Sequence, residues 1–559
     1  MNIIKRKIKQ ELKELLVSLG FDSKLAALYS SRDISSVEDI TYQLDKLIPP
    51  SLMFSISTSA AFLADHIDNN NKIIIIGDYD ADGATATACG ILGLKKFGAD
   101  VSFIVPNRFK FGYGLTPEIV ELASEQNPNL IITVDNGIAS IDGVNAARKK
   151  GIDVLITDHH LPSDSLPNAN FIINPNQPNC KFPSKNLCGV GVIFYLLLSL
   201  RAHYRDKGKY IGLEEPGLSD LLELVCLGTV ADLVKLDLNN RILVDAGLKR
   251  IRSGIGNYGI RAIAKLSKKN LTDIKTSDLS FSIAPKLNAA GRLSDMSLGI
   301  KCLISQDPQE ANSYAIQLIQ LNDKRKNIES EMLETALNSI NISGNIGHSL
   351  VLFNDKWHQG VIGIIASRIK EKYFRPTLVF ARDESGFLKG SGRSIPSLHL
   401  RDALDLVSKK YPKIIMTFGG HAMAAGLTIK EEDFTKFSEV FDQTSQELLS
   451  ESDLNISTEV DHSILDQDLT YKSVNLINKE IWGQGFPSPL YSDEFEVISQ
   501  KIIAEKHNKL LLRKNEKNYD AIYFNSDQNQ PDTITAIYSI EVNDFNGVRA
   551  IQLIIKSAL

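Results

Sequence analysis

Ile73-Ile74-Ile75-Ile76-Gly77-Asp78-Tyr79-Asp80-Ala81-Asp82-Gly83 runs from four isoleucines straight into alternating aspartates. An unbroken β-branched run of this kind reads as a strand buried on both faces, as in a parallel sheet. Gly83-Ala84-Thr85 then opens a helix. In open α/β sheets, ligands bind beyond the carboxyl ends of the strands. Three carboxylates crowded there repel one another unless a cation lies among them. Oxygen ligands suit hard divalent ions such as Mg²⁺ and Mn²⁺.

The same theme recurs downstream. Leu130-Ile131-Ile132-Thr133-Val134 runs into Asp135-Asn136-Gly137, and Val154-Leu155-Ile156-Thr157 into Asp158-His159-His160. Val225-Cys226-Leu227-Gly228-Thr229-Val230-Ala231-Asp232 sets a carboxylate in an apolar stretch. Each has an ordinary alternative. Asp80 and Asp82 could cap a helix. Asp135-Asn136-Gly137 is good turn chemistry. The histidine pair could be a solvated loop, and Asp232 a satisfied core group. Four such coincidences together favour a centre for phosphoester hydrolysis. Two ions ~3.5–4 Å apart, bridged by one carboxylate, suit that reaction.

The chain has 559 residues, more than one core usually holds, so about three domains are expected. A hydrophobic share of 43% fits a globular protein, and a net charge of −5 excludes a wholesale basic coat while permitting local basic patches. Five cysteines (Cys89, Cys180, Cys188, Cys226, Cys302) form no CxxC pair and read as free thiols of a reducing, cytoplasmic compartment. No apolar run approaches membrane-spanning length.

Residues 1–50 read as an N-terminal helical segment, beginning with an amphipathic helix at the first residues. Strand-like runs at 72–76, 101–105, 130–134, 154–157 and 171–173 alternate with helical stretches such as 84–96 and 117–125. That alternation predicts an α/β, doubly wound parallel sheet over 51–268. Residues 269–345 form a helical connector whose apolar stripe runs from Ala311 to Ile340. A second, smaller α/β domain covers 346–452, with a helix following Gly419-Gly420-His421. From 453 to 559, short alternating runs at 495–498, 501–505, 509–512, 520–524 and 550–555 predict a small antiparallel β-barrel.

Asp80-x-Asp82, Asp135-Asn136-Gly137, Asp158-His159-His160 and Gly228-Thr229-Val230-Ala231-Asp232 resemble the four motifs of the DHH phosphoesterase superfamily. Gly390-Ser391-Gly392-Arg393 and the segment from Phe418-Gly419-Gly420-His421 to Gly426 resemble its DHHA1 companion domain. Residues 106–114, Asn288-Ala289-Ala290-Gly291-Arg292-Leu293 and an OB-fold-like final segment resemble the RecJ family of bacterial nucleases. The resemblance covers roughly residues 50–559. It implies a metal-dependent 5′→3′ exonuclease that hydrolyses single-stranded DNA to mononucleotides in recombination and repair.

The resemblance further implies residue roles. Asp80 and Asp135 would hold one Mn²⁺ or Mg²⁺; Asp82, Asp135, His159 and Asp232 would hold a second. Asp78 would orient a ligand or a water, and His160 would contact the scissile phosphate or help a proton move. Asn107, Arg108 and Arg292 would grip backbone phosphates; Ser391, Arg393 and His421 would take the 5′ end. In the barrel, Lys506, His507, Arg513 and Lys514 with Tyr523 and Phe524 would form a strand-binding face. Expected partners are a RecQ-like helicase and single-strand-binding protein, with the chain itself a monomer away from membranes. Two departures stand out: Ile76 replaces a histidine found in related pyrophosphatases, and Phe486 replaces the Asn of a Gly-x-Gly-Asn-Pro loop. The competing readings are a phosphodiesterase of short oligonucleotides or cyclic dinucleotides, and an inactive strand-binding scaffold.

Overall fold

The computed structural model describes residues 2–106, 112–343, 346–465, 469–545 and 548–559. The chain divides into two compact units, Lys5–Ile319 with Glu459–Leu559, and Met1–Ile4 with Gln320–Thr458.

The first residues are not helical. Asn2–Lys5 forms a strand (β1) that pairs with Ser457–Val460. Asn2 N–H donates to Ile456 O and Arg6 N–H to Val460 O. A partner more than 450 positions away outbids the weak local helix preference of the first residues; helices follow only at Gln10–Ser18 and Ser23–Ser30.

The larger unit is built on five parallel strands: Ile73–Gly77 (β2), Val101–Ile104 (β3), Leu130–Val134 (β4), Asp153–Thr157 (β5) and Phe171–Ile173 (β6). Their spatial order is β3-β2-β4-β5-β6. The chain thus steps outward from β2 to β3, then crosses back to the other side of β2. That reversal between β2 and β4 is the switch point where doubly wound sheets bind ligands. Both faces are covered. Ile74, Ile76, Ile131, Val154 and Ile156 meet the helices Pro117–Ser124 and Ile141–Lys149 on one side. On the other, Ile75 lies against Gly90, where a Cβ would come within 2.7 Å of its Cδ1. All four isoleucines of β2 are fully buried, each stabilising by roughly 1.5–3 kcal/mol.

The same unit carries a closed barrel of Tyr491–Ile503, His507–Lys514, Lys517–Phe524, Thr533–Phe545 and Val548–Ala558. It is not wholly antiparallel: Lys517–Phe524 and Val548–Ala558 pair in parallel. The runs at 495–498 and 501–505 belong mostly to one long strand, bulged between Val497 and Ser499. Its hairpin turns through Ala504 and Glu505, both at positive φ without glycine, so the usual turn signal is missing.

In the smaller unit, a five-stranded mixed sheet of Leu350–Phe353 (β7), Thr377–Arg382 (β8), Leu388–Arg393 (β9), Thr417–Gly420 (β10) and Ala424–Ile429 (β11) has the order β10-β11-β9-β8-β7. The expected helix after His421 is absent. β10 and β11 form a hairpin, with Gly420 at φ 142° entering the turn. The helix Pro308–Ser343, 36 residues long, fills much of the expected connector, and the boundary between the units falls inside it. All five cysteines are free. Among the described residues no single helix is long and apolar enough to cross a membrane.

Candidate metal centre

Register brings the acidic motifs together. Gly77 pairs with Val134, and Val134 with Thr157, so β2, β4 and β5 end at the same level. The chain leaves β2 through Asp78, Tyr79 and Asp80, leaves β4 through Asp135, and leaves β5 through Asp158-His159-His160. Asp80 caps the helix Ala81–Lys96 by accepting from Gly83 N–H, which places Asp82 in its first turn.

Asp232 arrives from another direction, at the end of the helix Leu222–Ala231. Gly228, one turn earlier, permits this. A Cβ there would lie 2.3 Å from Thr85 Oγ1 and 2.8 Å from Asp82 Oδ1. Gly189 does the same for the helix Gly189–Asp206, since its Cβ would meet Asp135 Cβ at 2.4 Å. The amides at that helix start then donate to Asp82: Gly189 N to Oδ2 at 2.5 Å and Val190 N to Oδ1 at 3.0 Å. A helix N-terminus carries partial positive charge and offsets part of the crowding.

Three carboxylates converge on one imidazole nitrogen. His159 Nε2 lies 3.0 Å from Asp135 Oδ1, 3.6 Å from Asp232 Oδ2 and 4.0 Å from Asp82 Oδ2. Ligand atoms within 4.8 Å of one another fall into overlapping groups: Asp78, Asp80 and Asp135; Asp82, His159 and Asp232; and Asp135, His159 and His160. Asp135 joins the first and the last, the arrangement a bridging ligand needs. Its Oδ1 is sealed from solvent and accepts no hydrogen bond among the described residues, although His159 is near. Its backbone holds φ 62°, a left-handed conformation costing about 1 kcal/mol or more that Asp tolerates better than most. Burial, then repulsion from Asp80, pushes the Asp82 carboxyl up to about 7. Burial and then Asp82 push Asp135 and Asp232 well above the usual carboxylate range. A sealed oxygen with an imidazole beside it, among acids that resist ionising together, fits a pair of hard divalent cations.

Asp158 does different work. Its Oδ1 accepts from His159 N (2.7 Å), His160 N (3.1 Å) and the His160 ring (2.8 Å), while Oδ2 accepts from Ile138 N (2.9 Å). Burial alone would raise Asp158, but these donors and the two imidazoles hold it below its usual value. Burial would likewise lower His160, yet the bond and charge of Asp158, with Asp232 and Asp78, hold it up at about 9. Asn176 and Asn174 fix the backbone by donating to His159 O and His160 O. Tyr113 Oη lies 3.3 Å from both Asp135 O and His160 Nδ1.

Of the expected site residues, Asp78, Asp80, Asp82, Asp135, His159, His160 and Asp232 are brought together. Arg292 is brought near: Ala81 N–H donates to Asn288 Oδ1, and neighbouring Gly291 abuts Tyr79 O so closely that a Cβ would sit at 1.8 Å. Asn107 and Arg108 lie outside the described residues. In the other unit, Ser391 and Arg393 lie two apart on β9, with Arg393 Nη1 3.3 Å from Ser391 Oγ and Arg393 paired with Ala424. His421 sits in the hairpin turn leading to that residue, its N–H donating to Ala424 O. Ile76 is buried inside β2 and offers nothing to an ion; Asp78 stands beside Asp80 and Asp135 instead. On the barrel, Arg513 is paired with Glu496 and Lys514 with Asp493. Those two cations are therefore already neutralised within the fold.

Sequence reasoning missed Asp158 as the support of both histidines. It also missed Asn136, whose Nδ2 donates to Ile76 O and Val134 O and so ties two strand ends together. The contacts of Asn288 and of the Gly189 and Val190 amides were not foreseen, since their partners lie more than a hundred residues away.

Comparison with known proteins agrees with this geometry. Residues 72–229 match the DHH family N-terminal domain, 346–447 the DHHA1 domain and 460–557 the RecJ OB domain. The chain is 42% identical over 546 residues to the single-stranded-DNA-specific exonuclease RecJ of Haemophilus influenzae, covering 95% of each. It is 41% identical over 548 residues to the RecJ of Escherichia coli, again covering 95% of each. Among solved structures, Thermus thermophilus RecJ in complex with Mn²⁺ superposes with a TM-score of 0.81 at 27% identity, covering 100% of this chain and 79% of that one. Its complex with Mg²⁺ gives 0.75 at 25% identity, covering 100% and 78%. With sequence likeness running end to end and the three domain types in one order, the chain belongs to the RecJ family.

Proposed function

We propose that this chain is a single-strand-specific DNA exonuclease working from the 5′ end with two divalent ions. The observation that carries the reading is the meeting of Asp82, Asp135 and Asp232 on His159, with Asp78 and Asp80 beside Asp135. When bound, Mn²⁺ or Mg²⁺ supplies Lewis acidity toward a phosphodiester and makes water a nucleophile at neutral pH. Asp80 and Asp135 would hold one ion, and Asp82, Asp135, His159 and Asp232 the other, while Asp78 would orient a ligand or water. His160, held in place by its bond to Asp158, would contact the scissile phosphate or help a proton move. Arg292, with Asn107 and Arg108, grips the DNA backbone.

In the smaller unit, Ser391 and Arg393 with the His421 turn offer a hydroxyl, a guanidinium and glycine-lined backbone to a terminal phosphate. We place the enzyme in the cytoplasm, acting as a monomer with a RecQ-like helicase and single-strand-binding protein. The closed barrel favours long strands over dinucleotides, because such barrels track extended single strands. Digesting 5′-labelled and 3′-labelled single strands with Mn²⁺, with and without EDTA, tests the reading. Early release of the 5′ label, abolished by EDTA, is expected. Early release of the 3′ label, equal cutting of duplex, or preference for dinucleotides would overturn it.

A further inference from the structure

The loop Trp482-Gly483-Gln484-Gly485-Phe486-Pro487, which leads into the barrel, reaches the strap that follows Asp232. That strap, residues 233–237, begins with Leu233 at φ 59°, a left-handed conformation without glycine. Such a residue persists only where its surroundings hold it.

The holding groups come from the loop. Leu236 N–H donates to Gln484 O at 2.8 Å. The loop closes on itself there, Gly483 N–H donating to Phe486 O and Phe486 N–H to Gly483 O. A Cβ on Gly483 would lie 2.6 Å from Leu236 Cδ1, and one on Gly485 would lie 2.4 Å from Lys235 Cγ. A side chain at either glycine would press on the strap, and Gly485, at φ 70°, holds a conformation that favours glycine. Arg241 clamps the same place. Its Nη1 donates to Leu236 O at 2.7 Å, and its guanidinium lies 4.4 Å from the Phe486 ring centre. Phe486 stacks on Trp482 at 5.3 Å, and the Arg32 guanidinium lies 4.7 Å from the Trp482 ring centre. The result is a chain of contacts from Arg241 through Phe486 and Trp482 to Arg32, with the strap pinned by Arg241.

We infer that this loop is a positioning element for the metal centre: it fixes the strap behind Asp232 and so sets the direction from which that carboxylate meets the ion. The inference rests on the two-ion reading above. It also gives Phe486 a reason: an aromatic ring carries Arg241 as a platform.

The test uses the full-length chain. Gly483→Ala pushes Leu236 away, and Arg241→Lys keeps the charge but loses the flat, forked guanidinium. Ile263→Val, a buried truncation in the helix Tyr258–Leu266 of the same unit, is the stability control. Mn²⁺ binding is measured by titration calorimetry and thermal melting with EDTA, alongside steady-state digestion of single-stranded DNA. In both loop variants Mn²⁺ affinity is expected to fall by about tenfold, as when support behind a metal ligand is lost. kcat falls while KM for DNA holds, and Ile263→Val keeps parental affinity. Affinity within twofold of the parent in both loop variants would overturn the inference. So would a loss shared by Ile263→Val in proportion to its melting temperature. If the parent binds Mn²⁺ and the loop variants lose it, yet the parent cuts no single strand, the nuclease assignment fails and the loop's role stands.

Discussion

Gly228→Ala separates the stability of the fold from the geometry of its centre. The added methyl would sit 2.3 Å from Thr85 Oγ1, 2.5 Å from Val190 Cγ1 and 2.8 Å from Asp82 Oδ1, where ordinary contact begins at 3.4 Å. Thr85 cannot simply swing aside, because its hydroxyl donates to Asp82 O. The helix Leu222–Ala231 must back away by about 1 Å, as the gap between 2.3 and 3.4 Å requires. Overpacking of this kind costs about 1–3 kcal/mol. Alanine in place of a helical glycine returns about 1 kcal/mol. The net loss is therefore small, a fall of a few degrees in Tm. Asp232 N–H bonds Gly228 O, so the carboxylate shifts with the helix. A 1 Å misplacement at a reacting centre costs about 100-fold in rate. Melting in EDTA and steady-state digestion with Mn²⁺ read the two effects separately. Activity within about threefold of the parent, or a loss matched by the unfolded fraction, would refute the reasoning.

Three further outcomes follow from the charges. Asp135→Asn should abolish nuclease activity, by at least about 1,000-fold if both ions depend on it. The same change should raise the Tm of the EDTA-treated protein, because it removes a buried charge that Asp82 and Asp80 repel; an unchanged or lower Tm would count against that crowding. Asp82 has a folded pKa raised to about 7, so its stabilising effect is complete below its ordinary value near 4 and is lost as pH rises through 7. EDTA-treated protein should therefore lose up to about 4 kcal/mol between pH 4 and 8 from this group, and the Tm gain on adding Mn²⁺ should be larger at pH 8 than at pH 5.5. An equal gain at both would contradict it. In Asp158→Asn, His160 loses the partner that holds it near 9, and burial then lowers it. Activity should fall most above pH 7 and recover in part near pH 6, where a flat pH profile would show that the charge on His160 is irrelevant.

The four isoleucines of β2 and the aspartates after them were legible because local signals agreed: β-branching, an abrupt polar break and a helix start within eleven positions. The convergence of six of the seven acidic and imidazole side chains, all but Asp232, was legible for a related reason. Parallel strands in register deliver their carboxyl ends to one edge, so motifs at strand ends must meet. What escaped was carried by distant partners or by space. β1 needed a strand near residue 457, and Asn288 needed an amide 207 positions away. The stretch after His421 reads as a helix because its alanines favour helix locally, while β9 lies ready to pair with β11. Nothing local marks the part that Gly189 and Gly228 play. Only the approach of Asp135 and Asp82 shows what a side chain there would obstruct.

Arg32 draws its charge partner from far along the chain. Its guanidinium makes two hydrogen bonds to Asp461, 429 residues later, and donates to Pro487 O. A ribosome adding about 5–20 residues per second would take roughly 20–90 s to deliver that carboxylate. Until then the helices Gln10–Ser18 and Ser23–Ser30 carry a cation without that partner, so their docking must await the synthesis of Asp461. Nascent chains stalled before residue 461 should yield to protease within the first forty residues, whereas chains stalled beyond the barrel should resist; equal resistance would show that the leader docks without its counter-ion.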